Sequence, residues 1–281
     1  PGIFASLVKS LAFALDVLLV QILFGIKLVW TIHNLRHHDP RPRAIELAIS
    51  RFFASMCIKI RVLGEGVEQT VCNRFKVRAS KVVVYPEGSY SDWYPSGITP
   101  EVARQKLGIE PEARVWLYLG NLRPYKGVEE LIASFRKIAG ENTRLVIAGN
   151  PWNMEYSNTI ARLADHDPRI LLRMEIVPDA ELQVYYSAAD LVVLPFKNVF
   201  NSGTVLLAMS FAKPVIAPAM GVVPFRLRKQ PDLLYQNNDL EAALVRSEKL
   251  NQAQLSSLGA ANKAFADQYT WTDFATFLLN L

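Results

Sequence analysis

The stretch VWLYLGNLRPYKGVEELIASF, residues 115–135, decides the fold class of this 281-residue chain. It opens on an unbroken apolar run as long as a buried strand, and Gly120 ends the run. From Val128 onward apolar residues recur at 128, 131, 132 and 135, the spacing of a helix that buries one face. A strand that turns straight into such a helix is half of a βαβ unit, the building block of parallel sheets covered by helices. Downstream the alternation repeats, with strands expected at 144–148, 170–177, 191–195 and 214–217 and helices at 128–139, 154–166, 179–188 and 202–212. With a helix at 100–107 before it and helices at 240–250, 254–268 and 271–281 after it, this makes a complete doubly wound domain. Upstream the pattern is thinner: strand 26–32, helix 43–56, strand 59–63, helix 66–75, strand 81–85. Between the two parts, PEGSYSDWYPSGITP (residues 86–100) has no periodicity and reads as a linker or a cleft-facing loop. The expected organisation is α/β with two Rossmann-like domains, an incomplete one over 1–95 and a complete doubly wound parallel sheet over 96–281.

Hydrophobic residues at 51% and charged residues at 20% describe a folded globular protein. Cys57 and Cys72 lack a second Cys or His at ligand spacing, which argues against a disulfide framework or a zinc site and for a reducing compartment. A net charge of +5 favours anionic partners: nucleotides, phospholipid surfaces or nucleic acid. No basic motif interleaved with aromatics and no recognition-helix pattern is present, so nucleic acid is set aside. Residues 11–30 approach the roughly 20 apolar residues of a membrane span, but Asp16, Gln21 and Lys27 interrupt them, and the basic start and cleavage site of a signal peptide are missing. The expectation is a buried amphipathic helix followed by a buried strand, with a helix resting on a membrane interface as the alternative.

Ligands of open α/β sheets bind outside the carboxyl ends of the strands, so three loops carry the chemistry. Loop 120–127 is glycine-rich and dicationic and leads into a helix, whose free amides and dipole favour an anion; Arg123 and Lys126 add charge-assisted donors for phosphate oxygens. Its spacing is not that of a Walker loop. The alternative is a turn with two solvated charges. Loop 198–204 places Asn201 or Ser202 as a helix N-cap and offers the amides and hydroxyl of the 202–204 turn to a phosphate or ribose. An ordinary capped helix is the alternative there. The third loop is 149–153.

Four runs, VWLYLGNLRPYKGVEELIASF (115–135), LVIAGNP (145–151), VPDAELQVYYSAADLVVLP (177–195) and NSGTVLLAMSFAKPVIAP (201–218), resemble in order the motifs of the donor-binding domain of GT-B glycosyltransferases. More narrowly they resemble the group 1, nucleotide-sugar-dependent superfamily that builds bacterial surface polysaccharides. The resemblance covers most of residues 80–281. It implies a hexosyltransferase that moves sugar from a nucleotide-diphosphate sugar to a glycan or lipid-linked acceptor, without metal or other cofactor. It also implies a cytoplasmic protein with a peripheral place at the inner face of the plasma membrane left open. By resemblance Arg123, Lys126, Gly120 and Asn121 hold the diphosphate, Ser202, Gly203 and Thr204 hold phosphate or ribose, and Gly149, Asn150, Ile176 and Val177 lie near the nucleobase. The phrase WTIHN (30–34) resembles the strand end at which the family turns a histidine toward the donor sugar, which gives that role to His33 with Asn34 beside it. Asn201, Glu87 and Gly88 are expected along the same cleft, Gly88 letting the chain pass close to the donor. Glu87 reads equally as a cleft carboxylate or a loop charge. His37 and His38 are expected in an exposed loop and receive no role.

Two departures stand out. Many retaining members carry paired glutamates that contact the donor sugar and the ribose, and those positions fall here on Val199 and Leu207, whose side chains accept no hydrogen bond. Retaining stereochemistry does not follow, and an inverting reaction needs a base that the sequence does not locate. Members of the family also begin with further βα units, so about half an acceptor domain is expected to be missing on ordinary domain sizes. Truncation, a minimal acceptor domain and a partner that supplies the rest remain open. The rival readings are a non-catalytic nucleotide-sugar-binding scaffold and, more weakly, a membrane-embedded structural protein.

Overall fold

The structure, a computed structural model, describes residues 3–36, 42–236 and 239–281, so His37 and His38 lie outside the described residues. The chain forms two compact units, Pro1–Glu87 with Phe274–Leu281, and Gly88–Asp273. The division falls inside the expected linker but ahead of residue 95, and the chain's last residues return to the first unit.

The first unit is built on a parallel sheet of three short strands, β1 (Val29–Thr31), β2 (Lys59–Val62) and β3 (Val82–Val84), in the order β1-β2-β3. Helices Arg43–Met56 and Glu68–Phe75 make the crossovers. Arg61 is buried in β2, donating to the carbonyls of Tyr85 (2.8 Å) and Pro86 (2.6 Å) while its guanidinium lies 3.7 Å over the Phe274 ring. With Tyr85 stacked on Phe277 at 4.2 Å, this explains why the C-terminal residues belong here.

The helix Ile3–Phe24 corrects an expectation, because it is not buried. Val17 is its one buried apolar residue among those described, whereas Phe4, Leu11, Ile22, Leu23 and Phe24 are exposed. Its partner is helix Arg43–Met56, through Phe13 on Phe53 at 5.4 Å and Gln21 donating to the Met56 carbonyl at 2.8 Å. A helix apolar all round needs cover on every side, and one neighbouring helix covers a single stripe. The strand after it is also shorter than expected and half-buried, with Ile26 exposed.

The second unit is a six-stranded parallel sheet of β4 (Arg114–Leu119), β5 (Thr143–Ala148), β6 (Ile170–Arg173), β7 (Leu191–Val193), β8 (Val215–Pro218) and β9 (Leu234–Tyr235). Its order is β6-β5-β4-β7-β8-β9. The chain works outward from β4 to one edge and then from β7 to the other, which is the doubly wound order with its reversal between β4 and β7. Trp116, Leu117 and Tyr118 of β4 and Phe135 of the next helix are fully buried at its centre. Local punctuation fixes many boundaries. Thr99 caps Val102 N–H, Pro100 takes the first turn and Gly108 (φ 71°) ends the helix Pro100–Leu107. Strand β6 stops at Arg173, where its pairing with Ala148 of β5 ends, so Ile176 and Val177 lie in the following loop and not in a strand as expected. The two-residue β9 and the helix Val223–Arg226 are too short to show a period and escape sequence reading.

Candidate functional site

The switch between β4 and β7 brings the three expected loops together at one edge of the sheet. Gly149 meets Gly120 so closely that a Cβ at Gly149 would lie 2.0 Å from the Gly120 carbonyl oxygen, and both have positive φ. The loops are then zipped by Leu122 N–H donating to Asn150 O at 2.9 Å and Trp152 N–H to Leu122 O at 3.0 Å. On the other flank Lys197 N–H donates to Tyr125 O at 3.0 Å, and Gly120 approaches Thr204, whose Oγ1 would lie 3.7 Å from a Cβ there. Ser202 is the N-cap of the helix Gly203–Ser210, accepting from Val205 N–H at 3.3 Å, while buried Arg226 donates to its carbonyl at 2.7 Å. A cavity of about 370 Å³ opens between these loops. Gly120, Asn121, Gly149, Asn150, Gly203 and Thr204 line it, as do Ile176 and Val177 from the loop after β6. Arg123, Lys126, Asn201 and Ser202 are not among its lining residues.

Those residues carry the electrostatics beside it. Lys126 ends a 3₁₀ turn after Arg123, with its ammonium 4.3 Å from the Phe196 ring centre and 5.6 Å from that of Tyr125. Burial alone pushes its pKa down to about 8. The nearby acids Glu129 and Glu130 are engaged by Lys197, at 3.7 and 2.6 Å. Lys126 therefore has no anion or acceptor among the described residues. Arg123 Nη1 is likewise buried without a partner, and so is the acceptor Asn201 Oδ1. Unpaired buried polar atoms are costly and rare. Two unmatched cationic donors and one neutral acceptor near a sheet's switch point suit a ligand with anionic oxygens and hydroxyls.

Tyr90 and Tyr94, from the stretch expected as a linker or cleft-facing loop, also line the cavity, and the Tyr90 hydroxyl would stand 3.9 Å from a Cβ on Gly203. Tyr90 is held by distant parts of the same unit. Its N–H donates to Ser210 Oγ at 3.0 Å; Ser89 and Ser91 each donate to Asp267 at 2.6 Å; and Lys263 bridges Asp267 (2.6 Å) and Ser91 (2.7 Å). A Cβ on Gly88 would strike the Trp271 ring and backbone at 2.7 Å, so its smallness serves packing on Trp271.

The first unit has its own polar corner. His33 follows β1 and is exposed, with Nδ1 3.8 Å from Oε1 of Glu87, whose carboxylate is buried. A second cavity, of about 260 Å³, is lined by His33, Asn34, Arg36, Glu46 and Ser50 with Trp30. Glu87 is thus a buried partner of His33 and not a solvated loop charge.

Comparison with known proteins agrees with this architecture. Residues 113–250 match the family described as glycosyl transferases group 1. Over 224 residues the chain is 31% identical to the GDP-mannose:glycolipid 4-beta-D-mannosyltransferase of Xanthomonas campestris pv. campestris, covering 78% of this chain and 57% of that protein. It is 24% identical over 280 residues to the D-inositol 3-phosphate glycosyltransferase of Corynebacterium aurimucosum, covering 95% of this chain and 66% of the relative. The chain thus spans a little over half to about two thirds of the length of these relatives. In fold it resembles the crystal structure of Anabaena HepE in complex with UDP and glucose, with a TM-score of 0.79 over 97% of this chain and 76% of that one at 16% identity. It also resembles the lipopolysaccharide glycosyltransferase WaaG, with a TM-score of 0.65 over 85% of this chain and 70% of that one.

Proposed function

Starting from a GT-B chain whose residues 113–250 are a group 1 glycosyltransferase domain, we propose that it transfers a hexose from a nucleotide-diphosphate sugar to a glycan or lipid-linked saccharide of a surface polysaccharide. The observation that carries this reading is a pair of unpaired buried atoms beside the switch-point cavity, Arg123 Nη1 and Asn201 Oδ1, with the half-buried Lys126 ammonium on the same loop as Arg123. A diphosphate satisfies both cations at once, and a sugar hydroxyl satisfies the amide oxygen. The neutral cavity alongside, lined by Gly149, Asn150, Ile176 and Val177, then takes the nucleoside. As the donor bond breaks, the two cations meet the charge left on the diphosphate. One relative by sequence is a mannosyltransferase whose name specifies GDP-mannose and a beta linkage.

Calorimetry with UDP, GDP and ADP tests the site and its base together. Saturable binding is expected for at least one of them, weakened by about 10²–10³ in the Arg123→Ala, Lys126→Ala double variant, as for loss of two charge-assisted contacts. Binding that survives the double substitution would remove the diphosphate from these residues. Val199 and Leu207, at the positions of the family's paired glutamates, favour one second reading, a donor-binding scaffold without turnover. Saturable binding with neither donor hydrolysis nor transfer would establish that reading.

A membrane-facing acceptor is supported by the first unit. Its helix Phe4–Phe24 is long and apolar enough to cross a membrane by length and composition. The charge is also uneven, with 12 Lys and Arg against 6 Asp and Glu in residues 1–87 and 19 against 20 in residues 88–281. Apolar surface beside excess positive charge suits an anionic lipid face. Equal sedimentation with anionic and neutral vesicles would count against it.

A further inference from the structure

The helix Ile3–Phe24 carries its polarity the wrong way round for a helix in water. Ser6, Ser10, Phe13, Val17 and Gln21, spaced i, i+4, i+7, i+11 and i+15, form the stripe turned toward the rest of the first unit. Ser6 and Ser10 are half-buried there, Val17 is buried, Phe13 packs on Phe53 and Gln21 donates to the Met56 carbonyl. The opposite stripe, Phe4, Val8, Leu11, Leu15 and Ile22, is exposed and holds no polar residue. A solvated helix does the reverse, setting apolar residues inward and polar ones out. The 18 steps from Phe4 to Ile22 make an apolar strip about 27 Å long, and a strip of that size marks an interaction surface.

What surrounds the end of the helix says which surface fits it. Leu23, Phe24 and Ile26 are exposed beside Ile22, and the chain there reaches the amino ends of the three strands. Lys27 precedes β1, Lys59 opens β2, and Arg78 and Lys81 precede β3. Lys59 and Lys81 tie this corner together by donating to the carbonyls of Ser80 (2.9 Å) and Ser55 (2.6 Å). Residues 21–28, 55–60 and 76–82 include no Asp or Glu. Apolar side chains beside cations, without acids among them, complement the boundary of an anionic bilayer, where hydrocarbon meets phosphate. Two features then separate lying on such a membrane from crossing it. Lys9 and Asp16 fall inside the helix, about a third of a turn away from the outward stripe, and a crossing helix would take both charges into hydrocarbon. It would also draw in the helix Arg43–Met56 packed along it and the edge strand β1, whose outer backbone groups find no partners in lipid.

We propose that the outward stripe lies flat in the interface of an anionic membrane, parallel to its plane, with Lys27, Lys59, Arg78 and Lys81 against the headgroups. The first unit is thereby seated on one leaflet, and the helix does not cross. This rests on the membrane-facing reading given above and adds to it the face that enters the lipid and the depth it reaches.

Cys57 and Cys72 are buried, so a cysteine introduced by Phe4→Cys, Leu11→Cys or Ile22→Cys takes a spin label selectively in the full chain. Its depth in vesicles of phosphatidylglycerol and phosphatidylcholine is read from relaxation by oxygen against a water-soluble nickel complex. The expected result is one shallow depth for all three labels, about 5–10 Å into the headgroup and acyl boundary. A label at position 11 near the bilayer centre, about 15 Å down, with those at 4 and 22 shallow, would show a crossing helix and overturn the proposal while leaving membrane contact standing. Labels that stay in water on a chain that sediments with the vesicles would overturn it as well. A chain that stays off anionic vesicles, as a monomer or as a dimer that covers the stripe with a second copy, overturns the proposal and the membrane-facing reading together. Nucleotide calorimetry without lipid still judges the donor site separately. The Lys27→Gln, Arg78→Gln double variant is expected to bind anionic vesicles about tenfold more weakly or worse, with binding to neutral vesicles unchanged. Undiminished binding by that variant overturns the headgroup contacts.

Discussion

Two lysines of the second unit, Lys126 and Lys213, are both pushed down to about 8 by burial, yet their surroundings differ. Lys213 precedes β8, donates to the Ala189 carbonyl at 2.8 Å and lies near the ion pair in which Asp190 takes both bonds of a forked Arg104 contact at 3.0 Å. Asp190 also accepts from Val115 N–H at 2.7 Å, so the cluster ties the helix Pro100–Leu107 to the starts of β4 and β7. Lys126 and Arg123 sit past the opposite end of β4, where Arg123 Nη1 is buried without a partner and the Lys126 ammonium has the Phe196 ring beside it and no anion among the described residues. Other unpaired buried atoms in the unit, such as those of Trp116, Tyr156 and Tyr186, are single neutral groups. Arg114 Nε and Glu248 Oε1 make no hydrogen bond either but face each other at 3.6 Å. Charge that is buried and matched reads as scaffold, and charge that is buried and unmatched reads as a place for a ligand.

The largest effect is expected where the matching is complete. Asp190→Ala leaves Arg104 buried without its counterion, which costs about 3–5 kcal/mol for a pair of this kind. Urea unfolding measures it, and nucleotide affinity of the folded fraction stays as in the wild type. A loss below about 1 kcal/mol, the level of an exposed pair, would show that the two clusters do not differ as argued.

The scaffold was more legible in the sequence than the site was. Helix Pro100–Leu107 is readable to the residue because Thr99, Pro100 and Gly108 punctuate it locally. The meeting of loops 120–127 and 198–204 at the carboxyl ends of the strands is readable because strand, glycine and helix follow one another within a few residues. Tyr90 is legible only as part of a cleft-facing loop and not as a fixed wall of the cavity, since what holds it, Ser210 and Asp267, lies 120 and 177 positions further along the chain. Glu87 was ambiguous for the same reason: only the fold sets it opposite His33. The N-terminal helix failed differently. Its composition says that it must be covered, but composition does not name the cover, and the reading supplied a core that the three short strands of its unit do not provide.

A smaller effect separates the two lysines in binding. A diphosphate beside Lys126 favours its charged form and raises its pKa from about 8 in the free protein. Binding therefore draws on the protonated ammonium: affinity from this contact is fully present below about pH 8 and falls as pH rises above it, by up to about tenfold per pH unit. Lys126→Arg, which stays charged throughout, is expected to flatten the profile. Lys213→Arg should leave it unchanged. Calorimetric titrations from pH 7 to 10 decide the matter, and an affinity for the wild type that does not fall above pH 8.5 would detach Lys126 from the ligand.

The smallest effect is on the stability of the unliganded protein, and its sign is the most telling. A lysine whose pKa is lower in the folded state than in the unfolded chain destabilises the fold while both are charged. The penalty is fully present below about pH 8 and lifts as pH rises toward the unfolded value near 10.5. Lys126→Met removes the buried charge, keeps the packing on Phe196, and orphans no acceptor, because the ammonium has none. It is expected to stabilise the free protein at pH 7 by roughly 1 kcal/mol, well short of the full shift because the side chain is partly exposed. That advantage should fade by about pH 10.5. Lys213→Met relieves a similar penalty but strands the Ala189 carbonyl, at a cost of about 1–3 kcal/mol, so no gain is expected there. Denaturant unfolding of both variants at the two pH values supplies the comparison. If Lys126→Met is no more stable than the wild type at pH 7, its charge is matched by something in the free protein, and the unmatched end of the sheet ceases to be evidence for a ligand.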